Sequence, residues 1–163
     1  MIDIYTDGSG HRGGPCAWAV VIVGPEDQII DQIVDGQPNG TSNIAEIQGV
    51  IAGLGWAYSR AIDDEIRVFT DSAYVMNAFT DDWITGWIKN GWKNARGRPV
   101  ANKEWWLALA ELVGKLDVTW VKVKSHSGNI HNDMADELCG KERKRWLGKA
   151  QDEDVSRLDQ TAD

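Results

Sequence analysis

The sequence predicts an α/β protein built on a five-stranded mixed sheet with helices on both faces. Three observations predict it. Short apolar runs rich in β-branched residues, MIDIYT, CAWAVVIVG and QIIDQIVDG, fill the first forty residues. From Asn43 the apolar spacing becomes helical, with Ile47, Val50, Ile51, Leu54 and Tyr58 recurring through about Arg60. Strand-like and helix-like runs then alternate to the end of the chain, which gives the order βββαβα(α)αβα.

The elements follow in turn. Only Pro25-Glu26-Asp27 separates the second and third strands, so they form an antiparallel hairpin. The helix from Asn43 packs on the sheet, and EIRVFT is the fourth strand. A hairpin and a helix lie between the first and fourth strands, the kind of crossover that lets them run parallel and adjacent. SAYVMNAF is a short helix, KEWWLALAELVGKL a longer one, DVTWVKV the fifth strand and HNDMADELCGKERKRW the closing helix. That helix carries its basic residues at the C-terminal end, where they complement the helix dipole. At 163 residues and 42% hydrophobic content the chain suits one domain with an ordinary core. The final QDEDVSRLDQTAD sets five acids against one arginine. Residues 1–148 are therefore expected to fold as one unit, and 149–163 to form an acidic, disordered tail.

No stretch approaches the roughly 20 apolar residues that span a bilayer. MIDIYTD has neither a basic leader nor an apolar signal core, so a cytoplasmic protein without a membrane partner is expected. Cys16 and Cys139 have no metal-type spacing and read as two reduced thiols. The net charge of −8 argues at first against a nucleic-acid partner. Its distribution reverses that inference. Between Trp83 and Lys103 stand Lys89, Lys93, Arg96, Arg98 and Lys103 with no acid, a charge of +5, in the stretch from Trp83 to Trp106 that holds five of the nine tryptophans.

The first and fourth strands end alike, on Thr6-Asp7 and Thr70-Asp71. Parallel neighbours lie about 4.8 Å apart, so Asp7 and Asp71 should project side by side at the carboxyl edge of the sheet. A divalent cation would remove their repulsion, and paired metals in phosphoryl-transfer sites lie about 3.5 to 4 Å apart. The small Gly8, Ser9 and Gly10 would let a substrate backbone come close. Taken singly, each acid is more readily read as a turn former. Glu46 leans from the long helix towards the sheet, although Asn43 as N-cap with Glu46 three residues later resembles a capping box. Asp136, beside Asp133 and Glu137, is read in the first turn of the last helix, where the dipole favours acids in any case. His126, in the loop KSHSGNIHN, could shuttle protons near this acid cluster.

Read together, TDGS, NIAE, TDSAYV, the tryptophan-rich basic segment and SHSGNIHNDMADELC resemble the type 1 ribonuclease H family, from about Met1 to about Trp146. The resemblance implies a ribonuclease H-like fold with a basic protrusion, here WITGWIKNGWKNARGRPVANKEWW. It implies that Asp7, Glu46, Asp71 and Asp136 bind two Mg²⁺ ions, with Mn²⁺ as a substitute, and that His126 assists proton transfer or product departure. Asp7 would bridge both ions, Glu46 hold the first, Asp136 hold the second, and Asp71 help position the attacking water. Tyr74 and Trp83 match an aromatic channel for DNA sugars. Thr41 matches a contact to DNA phosphate and Asn43 one to the hybrid. Lys89, Lys93, Arg96 and Arg98 would grip the DNA strand. Trp87, Trp92 and Trp106 are expected to pack a small core of the protrusion itself.

The loop GSGHRGGPCAW lacks the asparagine-proline segment common in bacterial relatives, and Ser42 and Ala73 stand where polar amides are often found. The implied activity is endonucleolytic hydrolysis of the RNA strand of an RNA/DNA hybrid by a monomer, leaving 5′-phosphate and 3′-hydroxyl ends. Gly8, Ser9 and Asn43 would meet the 2′-hydroxyls of the cleaved strand. A DNA nuclease of the same fold would share the acids and lack the protrusion. A non-catalytic binding module would gain nothing from four acids on a phosphate path.

Overall fold

In the computed structural model, which describes residues 1–160, five strands and five helices follow the expected order. Strands β1 (Ile2–Gly10), β2 (Gly14–Val23) and β3 (Ile29–Gly40) come first, then helix α1 (Ser42–Arg60) and strand β4 (Glu65–Thr70). Helices α2 (Ala73–Thr80), α3 (Trp83–Lys89) and α4 (Lys103–Lys115) lead to β5 (Asp117–Lys122) and the long α5 (Ile130–Gln160). The sheet order is β3-β2-β1-β4-β5. β1 runs antiparallel to β2 and parallel to β4, and β4 runs parallel to β5.

The alternation of side chains along β1 and β2 sorts the core into two layers. Ile2, Ile4, Val20 and Ile22 point to one face and pack with Ile47, Val50 and Leu54 of α1. Tyr5, Val21 and Val23 point to the other and pack with Ala135 of α5. Being covered on both faces, β2 is buried along nearly its whole length, which is why it reads as a continuous apolar run.

Several boundaries differ from the sequence expectation. β1 does not stop at Thr6 but continues to Gly10, paired with β2 through Asp7↔Ala19, Gly8↔Trp18, Ser9↔Ala17 and Gly10↔Cys16. β3 extends past Gly36 to Gly40 through Pro38, which an edge strand tolerates because one row of its backbone groups needs no ladder partner. α5 does not end near Trp146, and residues 149–160 continue it instead of forming a disordered tail. After Gly148 that stretch has no glycine or proline and carries Ala150, Gln151, Glu153 and Arg157, all compatible with a helix. Residues 161–163 of the expected tail lie outside the described residues.

Nor do the tryptophans form a core of their own. Trp106 is fully buried in the main core, with Trp87 and Trp92 packed against it. Ring centroids 5.8 Å apart between Trp87 and Trp92, and 5.5 Å between Trp87 and Trp106, tie α3 and the following loop into the body. The two cysteines are free and buried. Among the described residues no helix is long and apolar enough to cross a membrane.

Candidate active site

Tyr5 of β1 pairs with Phe69 of β4, and extending that register by two places Asp7 opposite Asp71. The parallel pairing ends before this point, so β1 runs on with β2 alone and a gap opens beside Asp7. Asp71 follows β4 directly, and the turn behind it is fixed locally. Thr70 Oγ1 accepts from the Ser72 N–H at 3.0 Å, and Ser72 caps α2 by accepting from the Val75 N–H at 3.2 Å.

Glu46 reaches the same gap from α1. The cap of α1 is Thr41, whose hydroxyl oxygen accepts from the Ile44 N–H at 3.2 Å. Asn43 is an exposed residue within the first turn, so the capping-box reading of Asn43 and Glu46 does not hold. The small residues also act differently from expectation. The space over Gly8 is taken by the backbone of Ala45 and Glu46, and that over Gly10 by Thr41, Ser42 and Cys16, so these glycines admit a helix and not a substrate.

One carboxylate oxygen each from Asp7, Glu46 and Asp71 lie within 4.8 Å of one another. Burial and then the charges of Asp71 and Asp136 push the Asp7 carboxyl up to about 7. Burial, followed by Asp7 and Asp71, pushes the Glu46 carboxyl well above the usual range. Glu46 Oε2 is buried without a hydrogen-bond partner. Converging oxygens that repel one another, one of them orphaned, fit a hard divalent cation.

Asp136 lies in the second turn of α5, because the helix begins at Ile130 behind an Asn129 cap that accepts from the N–H groups of His131 and Asn132. The helix dipole therefore gives a weaker reason for this acid than the sequence suggested. Asp136 is half exposed at the rim, with His126 Nδ1 3.6 Å from its Oδ2. His126 holds a left-handed backbone, φ 53°.

Sequence reasoning passed over two neighbours of the cluster. The Ser125 hydroxyl donates to Asp71 Oδ2. Cys139, three residues after Asp136 on the same helix face, buries its thiol beside Asp7 and donates to the Ala17 carbonyl at 3.3 Å; burial and then the nearby acids push that thiol far up. The helical spacing from Asp136 was the available signal for Cys139.

The expected substrate contacts divide into two groups. Lys89, Lys93, Arg96 and Arg98 are exposed along α3 and its loop, Trp83 is 36% exposed, and Ser9 is half-buried near the cluster. Tyr74 is partly buried against Trp106, its hydroxyl oxygen accepting from Asn102 Nδ2 at 3.3 Å, and the Thr41 hydroxyl serves the helix cap.

A mixed sheet whose parallel strands carry Asp7 and Asp71 to their carboxyl ends, with Glu46 converging on them, suits the binding of a divalent cation beside a phosphate ester. The chain belongs to the RNase H family, whose family model matches residues 1–144. It is 43% identical to a ribonuclease H of Roseobacter denitrificans over 139 residues, which cover 83% of this chain and 90% of that one. LC9-RNase H1, a type 1 RNase H with the type 2 active-site motif, shares the fold with a TM-score of 0.77 at 23% identity, covering 89% of this chain and 72% of that one. LC11-RNase H1, solved in complex with RNA/DNA hybrid, shares it with a TM-score of 0.67 at 21% identity, over 90% and 99% of the two chains.

Proposed function

We propose that this ribonuclease H hydrolyses the RNA strand of RNA/DNA hybrids endonucleolytically, leaving 5′-phosphate and 3′-hydroxyl ends. The observation that carries the reading is the convergence of Asp7, Glu46 and Asp71 on one point, in a chain of this family whose residues 83–103 carry five basic side chains and no acid.

Asp7, Glu46, Asp71 and Asp136 would hold two Mg²⁺ ions, with Mn²⁺ as a substitute, since all four offer hard oxygen donors. When bound, such ions supply an activated water and neutralise charge on the phosphate and on the departing 3′ oxygen. The protein's own part is to place and discriminate. Asp7, coupled electrostatically to Glu46, Asp71 and Asp136, would be the shared ligand. Asp71 would orient the attacking water. His126, whose Nδ1 lies 3.6 Å from Asp136, would move a proton as product forms or departs.

Lys89, Lys93, Arg96 and Arg98 hold the DNA backbone electrostatically. Trp83 and Tyr74 offer aromatic surface to the DNA sugars, with Trp83 the more accessible of the two. Ser9, two residues after Asp7, and the exposed Asn43 would meet 2′-hydroxyls of the cleaved strand, and Gly8 can take part only through its backbone. Residues 1–148 form the catalytic unit, and the protein works as a monomer in the cytoplasm.

The test is cleavage of end-labelled RNA annealed to DNA against matched RNA/RNA and DNA/DNA duplexes. Cutting confined to the RNA of the hybrid is expected. Equal cutting of the DNA duplex would point to a DNA nuclease of the same fold.

A further inference from the structure

Seven residues, 123–129, link β5 to α5 and carry His126 past the carboxylate cluster. The link is fastened at both ends. The Val123 N–H donates to the Thr70 carbonyl at 3.1 Å, which brings the chain alongside β4 immediately before Asp71. At the far end Asn129 caps α5. Between these anchors the loop is exposed, and the Ser125 hydroxyl reaches back to the site, donating to Asp71 Oδ2. The next residue, His126, holds a φ of 53°, which a non-glycine residue keeps only when its surroundings fix it. Its ring then lies with Nδ1 3.6 Å from Asp136 Oδ2.

We propose that Ser125 is a positioning residue for His126, its hydroxyl tying the loop to Asp71 so that the imidazole stands over the Asp136 side of the site. The inference rests on the reading of Asp71, Asp136 and His126 as working groups given above. A hydroxyl bonded to a carboxylate is charge-assisted and stronger than a neutral pair. Fastened one residue before His126, it removes much of the loop's freedom, and a proton-transfer group gains from being held near its target rather than sampling solvent. Ser125 also couples the two ends of the cluster, because a shift of Asp71 is passed to the His126–Asp136 contact.

The test uses the full chain as wild type, Ser125→Ala, Ser125→Thr, His126→Ala and the Ser125→Ala/His126→Ala double variant. Steady-state cleavage of a labelled hybrid with Mg²⁺ is paired with backbone ¹⁵N relaxation of the metal-free protein. Ser125→Ala is expected to lower kcat by about fivefold with KM changed by less than about twofold. It should also bring the order parameters of residues 126 and 127 below about 0.6. Ser125→Thr should restore both, and Ser125→Ala should add nothing on the His126→Ala background. Unchanged order parameters and kcat in Ser125→Ala would overturn the proposal. So would a full loss on the His126→Ala background, since Ser125 would then act through Asp71 alone. A wild type that leaves the hybrid uncut refutes the functional reading instead, and the relaxation data still decide the tether.

Discussion

Gly8 and Glu46 meet backbone to backbone: a Cβ at position 8 would collide with the Glu46 nitrogen and lie 2.5 Å from the Ala45 carbonyl carbon. β1 and α1 can approach this closely only because residue 8 has no side chain, and the approach is what delivers Glu46 to Asp7. Gly8→Ala should therefore destabilise the fold by about 1–3 kcal/mol, as overpacked sites do, and lower kcat further by displacing Glu46. Urea unfolding and steady-state cleavage check this. Wild-type stability and activity in the variant would contradict it.

Asp7 and Glu46 both make the stability of the metal-free protein depend on pH, since burial and neighbouring acids raise both carboxyls. That of Asp7 is raised from 3.8 to about 7 by burial, then by Asp71 and Asp136. A raised acid binds its proton more tightly folded than unfolded, so its contribution to stability is complete below the unfolded value and is lost as pH rises through the folded one. Metal-free stability should fall between about pH 4 and pH 7. Asp7→Asn should flatten that fall and be more stable than wild type at pH 8 by about 2 kcal/mol, allowing for partial solvent access. Thermal unfolding with a chelator, from pH 5 to 8, is the measurement.

The exposed cations of the protrusion should govern affinity and leave the chemistry alone. Replacing Lys89, Lys93, Arg96 and Arg98 together by Gln is expected to raise KM by about tenfold at moderate salt. The dependence of log KM on log salt should become shallower by about three, with kcat nearly unchanged. Cleavage measured across a salt series tests this; an equal drop in kcat would place these residues in the chemistry.

The end of α5 should be dispensable, while Trp146 should not. The ring of Trp146 fills the space over Gly36 of β3 and donates from Nε1 to Glu142 Oε1 at 3.1 Å, whereas residues 151–157 are exposed. Ending the chain after Gly148 should change stability by less than about 0.5 kcal/mol, and Trp146→Ala should cost about 1–3 kcal/mol. Calorimetry of the two variants compares them directly.

Much of this architecture is legible in the sequence because burial writes a period into it. The two-sided burial of β2 and the helical spacing of α1 are visible without coordinates, and the matched endings Thr6-Asp7 and Thr70-Asp71 lead to one edge of the sheet. What was missed depends on contacts between distant segments. Asp7 to Gly10 reads as a loop because nothing local shows that β2 and α1 hold it extended. Thr41 and Asn43 are both good caps, and local chemistry does not choose between them; the close packing of Gly10 on Thr41 and Ser42 accompanies the choice of Thr41. The acidic composition of 149–160 suggests disorder, but a helix already formed through Trp146 needs no new nucleus to continue. Ser125 is one of two serines flanking His126, and only the fold shows which one faces Asp71.

The most direct measurement is the initial rate of hybrid cleavage as Mg²⁺ is titrated into chelator-treated protein, for wild type and for Glu46→Gln. A cluster that works by holding divalent cations gives no cleavage without metal, a saturable rise in the wild type, and a loss of about a hundredfold or more in the variant. Cleavage that persists in the chelator, or a Glu46→Gln variant that titrates like the wild type, would contradict the assignment of the carboxylate cluster as the catalytic metal site.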